Sequence, residues 1–268
     1  MDLPAPFSPT RAWISPALTY YRVKGIHRDA DGRIIAPNRV IAKVSRIEIA
    51  RQFFSPPPEK LVNKLLDQGR ITREEAELSQ QIPMAQDLTA EADSGGHTDN
   101  RPALTLLPTM LALKDEFSAE YDYPEPLCVG LGGGIATPQS AAAAFSMGAA
   151  YILTGSVNQS CVEAGICDDV KAMLCQAEQA DVTMAPSADM FELGARVQVL
   201  KRGTMFPVRA EKLRKLYQAH DRFEDIDPGQ KKEIEVKFLK AGFAQASAST
   251  REFFLKTGNT REIERAQY

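Results

Sequence analysis

Two turns built from small residues carry the clearest chemical signal in this sequence. Gly132-Gly133-Gly134 follows the apolar segment Leu127–Leu131, and Thr154-Gly155-Ser156 ends the next apolar segment. Glycine-rich turns at strand ends leave backbone N–H groups bare, and such groups bind phosphate. Thr137 and Pro138 suit the N-cap and first turn of a helix whose dipole favours the same anion. The turns predict a phosphate site; the alternative is that the glycines serve only close packing of strand against helix.

The spacing of the glycines argues against two common nucleotide-binding motifs. Gly130 and Gly132 begin like a dinucleotide-binding fingerprint, but Ile135 stands where the third glycine belongs. The second strand ends in Thr154-Gly155-Ser156 instead of the acidic residue that binds a ribose. No G-K-S or G-K-T sequence is present, which excludes a P-loop. A phosphate cup between two adjacent loops fits these residues better.

A second candidate segment, Ser94-Gly95-Gly96-His97, follows the strand expected at Asp87–Asp93. Its flexible turn presents a histidine, and a neutral imidazole near pH 7 can give or take a proton. His97 is therefore a candidate general acid or base, or else a loop histidine that binds backbone. A third segment, Lys201-Arg202-Gly203, has two cations beside a glycine; it suits either a phosphate contact or a solvated strand end.

Four strands are expected to position these turns, near residues 40–44, 87–92, 127–131 and 150–154. Helical patterns separate them, and this alternation predicts an α/β fold with a parallel sheet. Leu18–Ile26 and Arg33–Val44 are rich in β-branched and aromatic residues around the turn Asp29–Gly32, which predicts a hairpin. We expect three regions: a lead and hairpin at 1–39, a strand-bearing domain at 40–160 with a helical insertion at about 47–85, and a mainly helical extension at 161–268.

Composition narrows the possible partners. The chain has 268 residues, a net charge of −3 and a pI of about 5.8, unlike the basic balance of a nucleic-acid-binding surface. Its apolar runs are too short to span a bilayer, and the N-terminus lacks the pattern of a signal peptide. The four cysteines show no C-x-x-C spacing, so reduced thiols are expected and no metal ligands are predicted. We therefore expect a cytoplasmic protein without nucleic-acid or membrane partners.

Several long motifs resemble those of one enzyme family. They read E-A-D-S-G-G-H-T-D-N-R-P, G-L-G-G-G-I-A-T-P, T-G-S-V-N-Q, A-D-M-F-E-L-G and V-L-K-R-G-T-M-F. The chain resembles, from about Ala17 to Phe254, the PfaD-type flavin-dependent enoyl reductases that act in trans in polyketide and polyunsaturated-fatty-acid synthases. These belong to the nitronate monooxygenase, or 2-nitropropane dioxygenase-like, group. The resemblance implies a TIM barrel that binds FMN.

The resemblance also implies roles for the two turns and the histidine. Gly132, Gly133 and Gly134 match the loop after barrel strand seven, and Thr154-Gly155-Ser156 matches the loop after strand eight. With Ser94, Gly95 and Gly96 after strand six, they would hold FMN. NADPH would reduce FMN, whose hydride would pass to the β-carbon of an unsaturated thioester on an acyl carrier protein. His97 would donate or position the proton for the α-carbon.

The four expected strands match strands five to eight of the barrel, so the resemblance implies its C-terminal half. Such a half-barrel exposes two sheet edges, and we expect self-association or a complementing N-terminal half. Two other functions stay open: a nitronate monooxygenase-like flavin oxidase, and a non-catalytic remnant or docking partner of a synthase complex.

Overall fold

A computed structural model describes residues 14–258 and 262–263, so the first thirteen residues of the expected lead lie outside the described part. The chain divides into two compact units. One runs to Met184 and includes Arg196–Gly203; the other comprises Ala185–Ala195 and the residues from Thr204 onward. The first unit therefore extends past the boundary at residue 160 that we expected from the sequence.

The N-terminal segment is a helix followed by a short hairpin. Helix α1 spans Pro16–Val23, so the strand predicted at Leu18–Ile26 is wrong. Ser15 caps this helix by accepting a hydrogen bond from the Leu18 backbone N–H at 3.1 Å, and a proline at the first position is pre-organised for it. The hairpin persists only as β1 (His27–Arg28) and β2 (Ile34–Ile35).

The predicted helical insertion is confirmed. It consists of α2 (Ile47–Phe54), α3 (Glu59–Asp67) and α4 (Arg73–Ser79). Thr72 caps α4: its hydroxyl accepts from the Glu75 N–H at 3.1 Å, and the Glu75 carboxylate accepts from the Thr72 N–H at 2.7 Å. A small apolar core lies beneath these helices, formed by Val23, Ile26, Val62, Leu65, Ile71, Ala76, Leu78 and Ile82.

The central elements alternate as the sequence predicts. In chain order they are β3 (Ile41–Val44), β4 (Asp87–Glu91), β5 (Gly96–His97), α5 (Ala103–Glu120), β6 (Cys128–Gly132), α6 (Pro138–Ser146) and β7 (Ile152–Leu153). Strands β3, β4, β6 and β7 form a parallel sheet in that order. The predicted cap of α6 is confirmed, because the Thr137 hydroxyl accepts from the Ser140 N–H at 3.1 Å.

The two faces of this sheet differ in composition. Side chains alternate along a strand, so one residue in two points to each face. The outer face is apolar and packs against helices, with every one of its residues in the three longer strands at most 4% exposed: Ala42, Val44, Leu88, Ala90, Val129 and Leu131. Helices α2 and α5 contribute Phe54, Leu107, Met110, Leu113 and Phe117 to the same core.

Beyond β7 the first unit contains helices and two strands that we did not predict. The helices are α7 (Ser156–Gln159), α8 (Asp168–Cys175) and the 3₁₀ turn Gln179–Asp181. Strands β8 (Val182–Pro186) and β9 (Arg196–Leu200) join β5 in a second sheet of order β5-β9-β8. The expectation of a mainly helical extension missed these strands, whose β-branched residues are interrupted by charged and amide side chains.

The second unit is helical. It contains α9 (Phe206–Ala219), the 3₁₀ turn Phe223–Asp225, α10 (Pro228–Glu233), a π-helical segment at Ile234–Leu239 and α11 (Phe243–Thr257). Its core is formed by Leu216, Ile226 and Ile234. Among the described residues, none of the helices has the length and apolar content needed to cross a bilayer.

Candidate functional site

Three turns meet at the carboxyl edge of the parallel sheet. Glu91 of β4 lies in register with Gly132 of β6, which is in register with Leu153 of β7. The three strands therefore end at one level. A hydrogen bond from the Ala92 N–H to the Gly132 carbonyl, 2.8 Å long, extends the pairing of β4 and β6 one residue further.

Gly133 brings the second turn against the first. Its φ is +98°, a conformation that side chains rarely adopt, and a Cβ there would lie 2.5 Å from the Ala92 carbonyl oxygen. The same Cβ would lie 2.7 Å from the carbonyl oxygen of Asp93. Because both obstacles are backbone atoms, only glycine permits this close approach. The sequence predicted glycine here for phosphate binding, and the structure adds a packing requirement.

Gly95 and Ser156 connect the first turn to the third. A Cβ on Gly95 would lie 3.2 Å from the Ser156 hydroxyl oxygen, so the two residues are direct neighbours. Thr154 supports the third turn, since its hydroxyl donates to Asn158 Oδ1 at 3.1 Å and its carbonyl accepts from Asn158 Nδ2 at 3.1 Å. The structure thus brings together the three predicted segments: Ser94-Gly95-Gly96, Gly132-Gly133-Gly134 and Thr154-Gly155-Ser156.

The turns leave open space and one unsatisfied hydroxyl. Nothing lies within 4 Å of the Cβ positions of Gly96, Gly134 and Gly155. Among the buried side-chain polar atoms of the described residues, Ser94 Oγ alone lacks a hydrogen-bond partner. Leaving such a group unsatisfied costs about 1–3 kcal/mol, so a ligand atom that bonded to it would remove this penalty. Unsatisfied groups of this kind are typical of binding sites.

His97 lies on β5, which pairs with β9. It is half-buried and in antiparallel register with Val197, while Gly96 is in register with Gln198. The sequence reasoning missed this partner strand, although the alternation of Val197, Gln198 and Val199 is a strand signal. β9 therefore fixes the histidine beside the cup instead of leaving it on a free loop.

Asp93 and Asp99 brace the histidine turn. Asp93 Oδ1 accepts from Asn100 Nδ2 at 2.8 Å and from Gln198 Nε2 at 3.1 Å. Asp99 Oδ2 accepts from the Ser45 hydroxyl at 2.5 Å and pairs with Arg46 Nε at 3.4 Å. These bonds tie the turn to β9 on one side and to the end of β3 on the other. Both carboxylates therefore have structural partners.

The third segment singled out in the sequence, Lys201-Arg202-Gly203, is partly engaged in structure. Arg202 donates to the Gln176 carbonyl at 3.0 Å and pairs with Asp181 at 3.4 Å. The backbone N–H of Lys201 donates to the Asp181 carbonyl at 2.8 Å. For Arg202 these contacts favour the solvated strand end over a phosphate contact.

The inner face of the sheet, opposite the apolar core, carries groups that sequence reasoning missed. Lys43 Nζ lies 2.7 Å from Glu91 Oε1 across β3 and β4. The Tyr151 ring covers Gly130, where any Cβ would overlap it, and its hydroxyl lies 3.0 Å from Thr89 Oγ1. Burial raises the pKa of Tyr151 to about 12. A charged residue at every second position of an otherwise apolar strand was the available signal.

Comparisons with known proteins identify the relatives of this chain. No protein-family model matches it. It is 46% identical over 257 residues to a polyunsaturated fatty acid synthase polypeptide of Thraustochytrium sp., covering 95% of this chain and 17% of that protein. It is 48% identical over 227 residues to the polyketide biosynthesis protein PksE of Bacillus subtilis, covering 85% of this chain and 30% of that protein.

One solved structure has the same fold. The enoyl reductase domain of MlnA, from the macrolactin biosynthesis cluster of Bacillus amyloliquefaciens, superposes with a TM-score of 0.83 at 40% identity. The match covers 96% of this chain and 57% of that domain. The fold is therefore α/β and of TIM-barrel type, with four parallel strands of the eight that form a complete barrel.

The fold and the carboxyl-edge turns define a barrel-type ligand-binding protein. The relatives specify it further: the chain belongs to the PfaD-type enoyl reductase family of polyketide and polyunsaturated-fatty-acid synthases. It spans 30% or less of the length of these two curated relatives.

Proposed function

We propose that this chain is an FMN-dependent enoyl reductase, or the part of one that binds the FMN phosphate. It would act in trans on α,β-unsaturated thioesters carried by an acyl carrier protein, in polyketide or polyunsaturated-fatty-acid biosynthesis. The observation that carries the proposal is the convergence of three glycine-rich turns around the unpartnered Ser94 hydroxyl. The 40% identity to the MlnA enoyl reductase domain supports the reaction class.

The residues of the cup suit a phosphate monoester. Gly96, Gly134 and Gly155 have open space where a side chain would stand, so their backbone N–H groups are approachable. Ser94 Oγ can donate a hydrogen bond to a phosphate oxygen, and the neighbouring Ser156 hydroxyl can donate another. The turn residues would thus hold FMN through Ser94, Gly95, Gly96, Gly132, Gly133, Gly134, Thr154, Gly155 and Ser156. Bound FMN supplies the hydride chemistry that no side chain of the chain can perform.

His97 is the group we propose for proton transfer. It follows the cup residue Gly96 directly, and pairing of β5 with β9 fixes its backbone. A histidine can protonate the α-carbon of a thioester near neutral pH because its ordinary pKa lies close to 7. NADPH is the proposed reductant.

The sheet edges bear on the proposed partners. Within the described residues β3 and β7 are edge strands, and they present the inner-face residues Ile41, 59% exposed, and Leu153, 44% exposed. Open edges with apolar side chains favour pairing with further strands. Self-association or a complementing chain, besides the carrier protein of the synthase, completes the proposal, together with a cytoplasmic location. A chain that sediments as a monomer at micromolar concentration and melts cooperatively would contradict the association.

Flavin binding is the first test of this function. We expect purified protein to quench FMN fluorescence at micromolar concentration and to bind riboflavin, which lacks the phosphate, at least tenfold more weakly. A difference of that size corresponds to about 1.4 kcal/mol, the contribution of one hydrogen bond to a charged group. Equal affinity for the two flavins would show that the turns do not bind phosphate, and no binding of either would overturn the proposal.

Activity separates the reductase from an oxidase. With FMN and NADPH present, we expect turnover of a crotonyl thioester, and none of a nitronate supplied with oxygen. His97→Ala should lower the turnover about 10²-fold or more, the usual contribution of a general acid. His220→Ala is the control, since His220 follows α9 in the helical second unit and should leave the rate unchanged. A His97→Ala rate equal to wild type would remove His97 from the mechanism.

A further inference from the structure

An ion pair stands on the inner face of the sheet, directly below the cup. Lys43 Nζ and Glu91 Oε1 are 2.7 Å apart, and the side chains are 34% and 6% exposed. A buried carboxylate is costly unless a cation or hydrogen-bond donors compensate it. Among the described residues, Lys43 is the cation paired with Glu91. The proposed binding of phosphate uses neither residue.

The register shows where the ammonium lies. The Cα partner of Lys43 is Thr89, two residues before Glu91 along β4. Two strand residues span about 6.6 Å, so the lysine side chain extends along the sheet toward its carboxyl edge to reach the carboxylate. Glu91 is in turn in register with Gly132. The positive charge therefore lies at the level where the glycine turn begins.

The surroundings of the ammonium leave it available to a ligand. Its neighbours on the inner face of β6 are Gly130 and Gly132, which project no side chains into the space above the sheet. An ammonium carries three donors, and Glu91 accepts from one of them. A third of the lysine side chain remains exposed. A ligand anchored in the cup would meet a fixed cation on this face.

We propose that Lys43, held in place by Glu91, binds the flavin ring and favours its reduced form. This inference rests on the proposed function. Reduction adds electron density to the ring system, and a positive charge beside the ring nitrogens is one of the means by which a protein tunes a flavin. Glu91 is a positioning residue: its carboxylate keeps the ammonium at the edge of the sheet. The pair thus links the phosphate cup to the redox properties of the cofactor.

The test compares the affinities of oxidised and reduced FMN, obtained from titration and from the midpoint potential of the bound flavin. Lys43→Gln should lower the preference for reduced over oxidised FMN about tenfold, the size of one hydrogen bond from a charged group. Lys43→Arg, which keeps the charge, should stay within about threefold of wild type. Lys60→Gln, an exposed lysine on α3, is the matched control and should change nothing.

A double variant guards against misfolding. Lys43→Gln leaves Glu91 buried without its cation, whereas Lys43→Gln with Glu91→Gln leaves no buried charge at this position. The double variant should fold, as circular dichroism can verify, and show the same tenfold loss. A preference unchanged in Lys43→Gln, or restored in the double variant, would overturn the role of Lys43 while FMN binding by wild type upheld the proposed function. Absence of FMN binding by wild type would overturn both.

Discussion

The two faces of the parallel sheet carry different kinds of residue, although they alternate along the same strands. The outer face consists of aliphatic residues at most 4% exposed, packed on helices α2 and α5. The inner face carries an ion pair, a tyrosine hydroxyl bonded to a threonine, and glycines. Apolar burial of the outer face stabilises the fold in proportion to area. The inner face contributes less to stability and more to the space and charge that a ligand would meet.

The difference teaches that stability and binding should be separable by mutation. A substitution on the outer face should lower the free energy of unfolding and leave ligand affinity of the folded protein unchanged. A substitution at the inner face or at the turns above it should change ligand binding, with a smaller effect on stability.

The largest effect is expected from Leu88→Ala on the outer face. Leu88 is fully buried in a central strand, and such truncations leave a cavity that costs about 2–5 kcal/mol. Urea denaturation measures the loss. Leu104→Ala is the control, since that leucine is 74% exposed on α5 and its truncation should cost less than about 0.5 kcal/mol. A lowered FMN affinity with unchanged stability would reverse the assignment of the two faces.

The outer face could be predicted from the sequence because it follows a periodic rule. Val40–Val44 and Leu127–Leu131 are short apolar runs between helical patterns, which is typical of buried parallel strands. The meeting of the cup turns followed as well, since carboxyl ends of neighbouring parallel strands share one edge of a sheet.

Other features could not be derived from local pattern. Pairing of β5 with β9 joins Gly96 to Gln198, about a hundred residues away, and no local rule specifies such a partner. The Lys43–Glu91 pair depends on the register of two strands. The error at α1 was different in kind: Ser15 and Pro16 form a helix start, and the β-branched and aromatic content of the following residues outweighed it in our reasoning.

A smaller effect on stability, with a larger one on binding, is expected from Gly133→Ala in the cup. The new Cβ would stand 2.5 Å from the Ala92 carbonyl oxygen, so the glycine turn must move away from the histidine turn. We expect the free energy of unfolding to fall by about 1–3 kcal/mol and FMN affinity to fall at least tenfold. Thermal denaturation and FMN titration measure the two quantities.

Gly69→Ala provides the matched control for Gly133→Ala. Gly69 also has a positive φ, +64°, but nothing lies within 4 Å of its Cβ position. This variant should show backbone strain of about 1 kcal/mol without any change in FMN affinity. If both variants retained wild-type affinity, contact between the two turns would not be needed for binding.

The smallest effect is expected from Tyr151→Phe on the inner face, and pH distinguishes it. At pH 7 the variant should be about 1 kcal/mol less stable, because Thr89 loses its bond to the tyrosine hydroxyl. Burial raises the pKa of Tyr151 to about 12 in the folded protein, above an unfolded value of about 10. The folded state therefore binds this proton more tightly, and the resulting stability is full below pH 10 and is lost as pH rises through 12.

Tyr151→Phe lacks that titrating group, so its free energy of unfolding should fall less steeply than that of wild type between pH 10 and 12. Tyr217→Phe, at a half-exposed ring of the second unit, should keep the wild-type slope. Parallel slopes for wild type and Tyr151→Phe would mean that the hydroxyl is solvated in the folded protein. The inner face would then be open at Gly130 and Tyr151, and the separation between a binding face and a packing face would extend to the whole length of the strands.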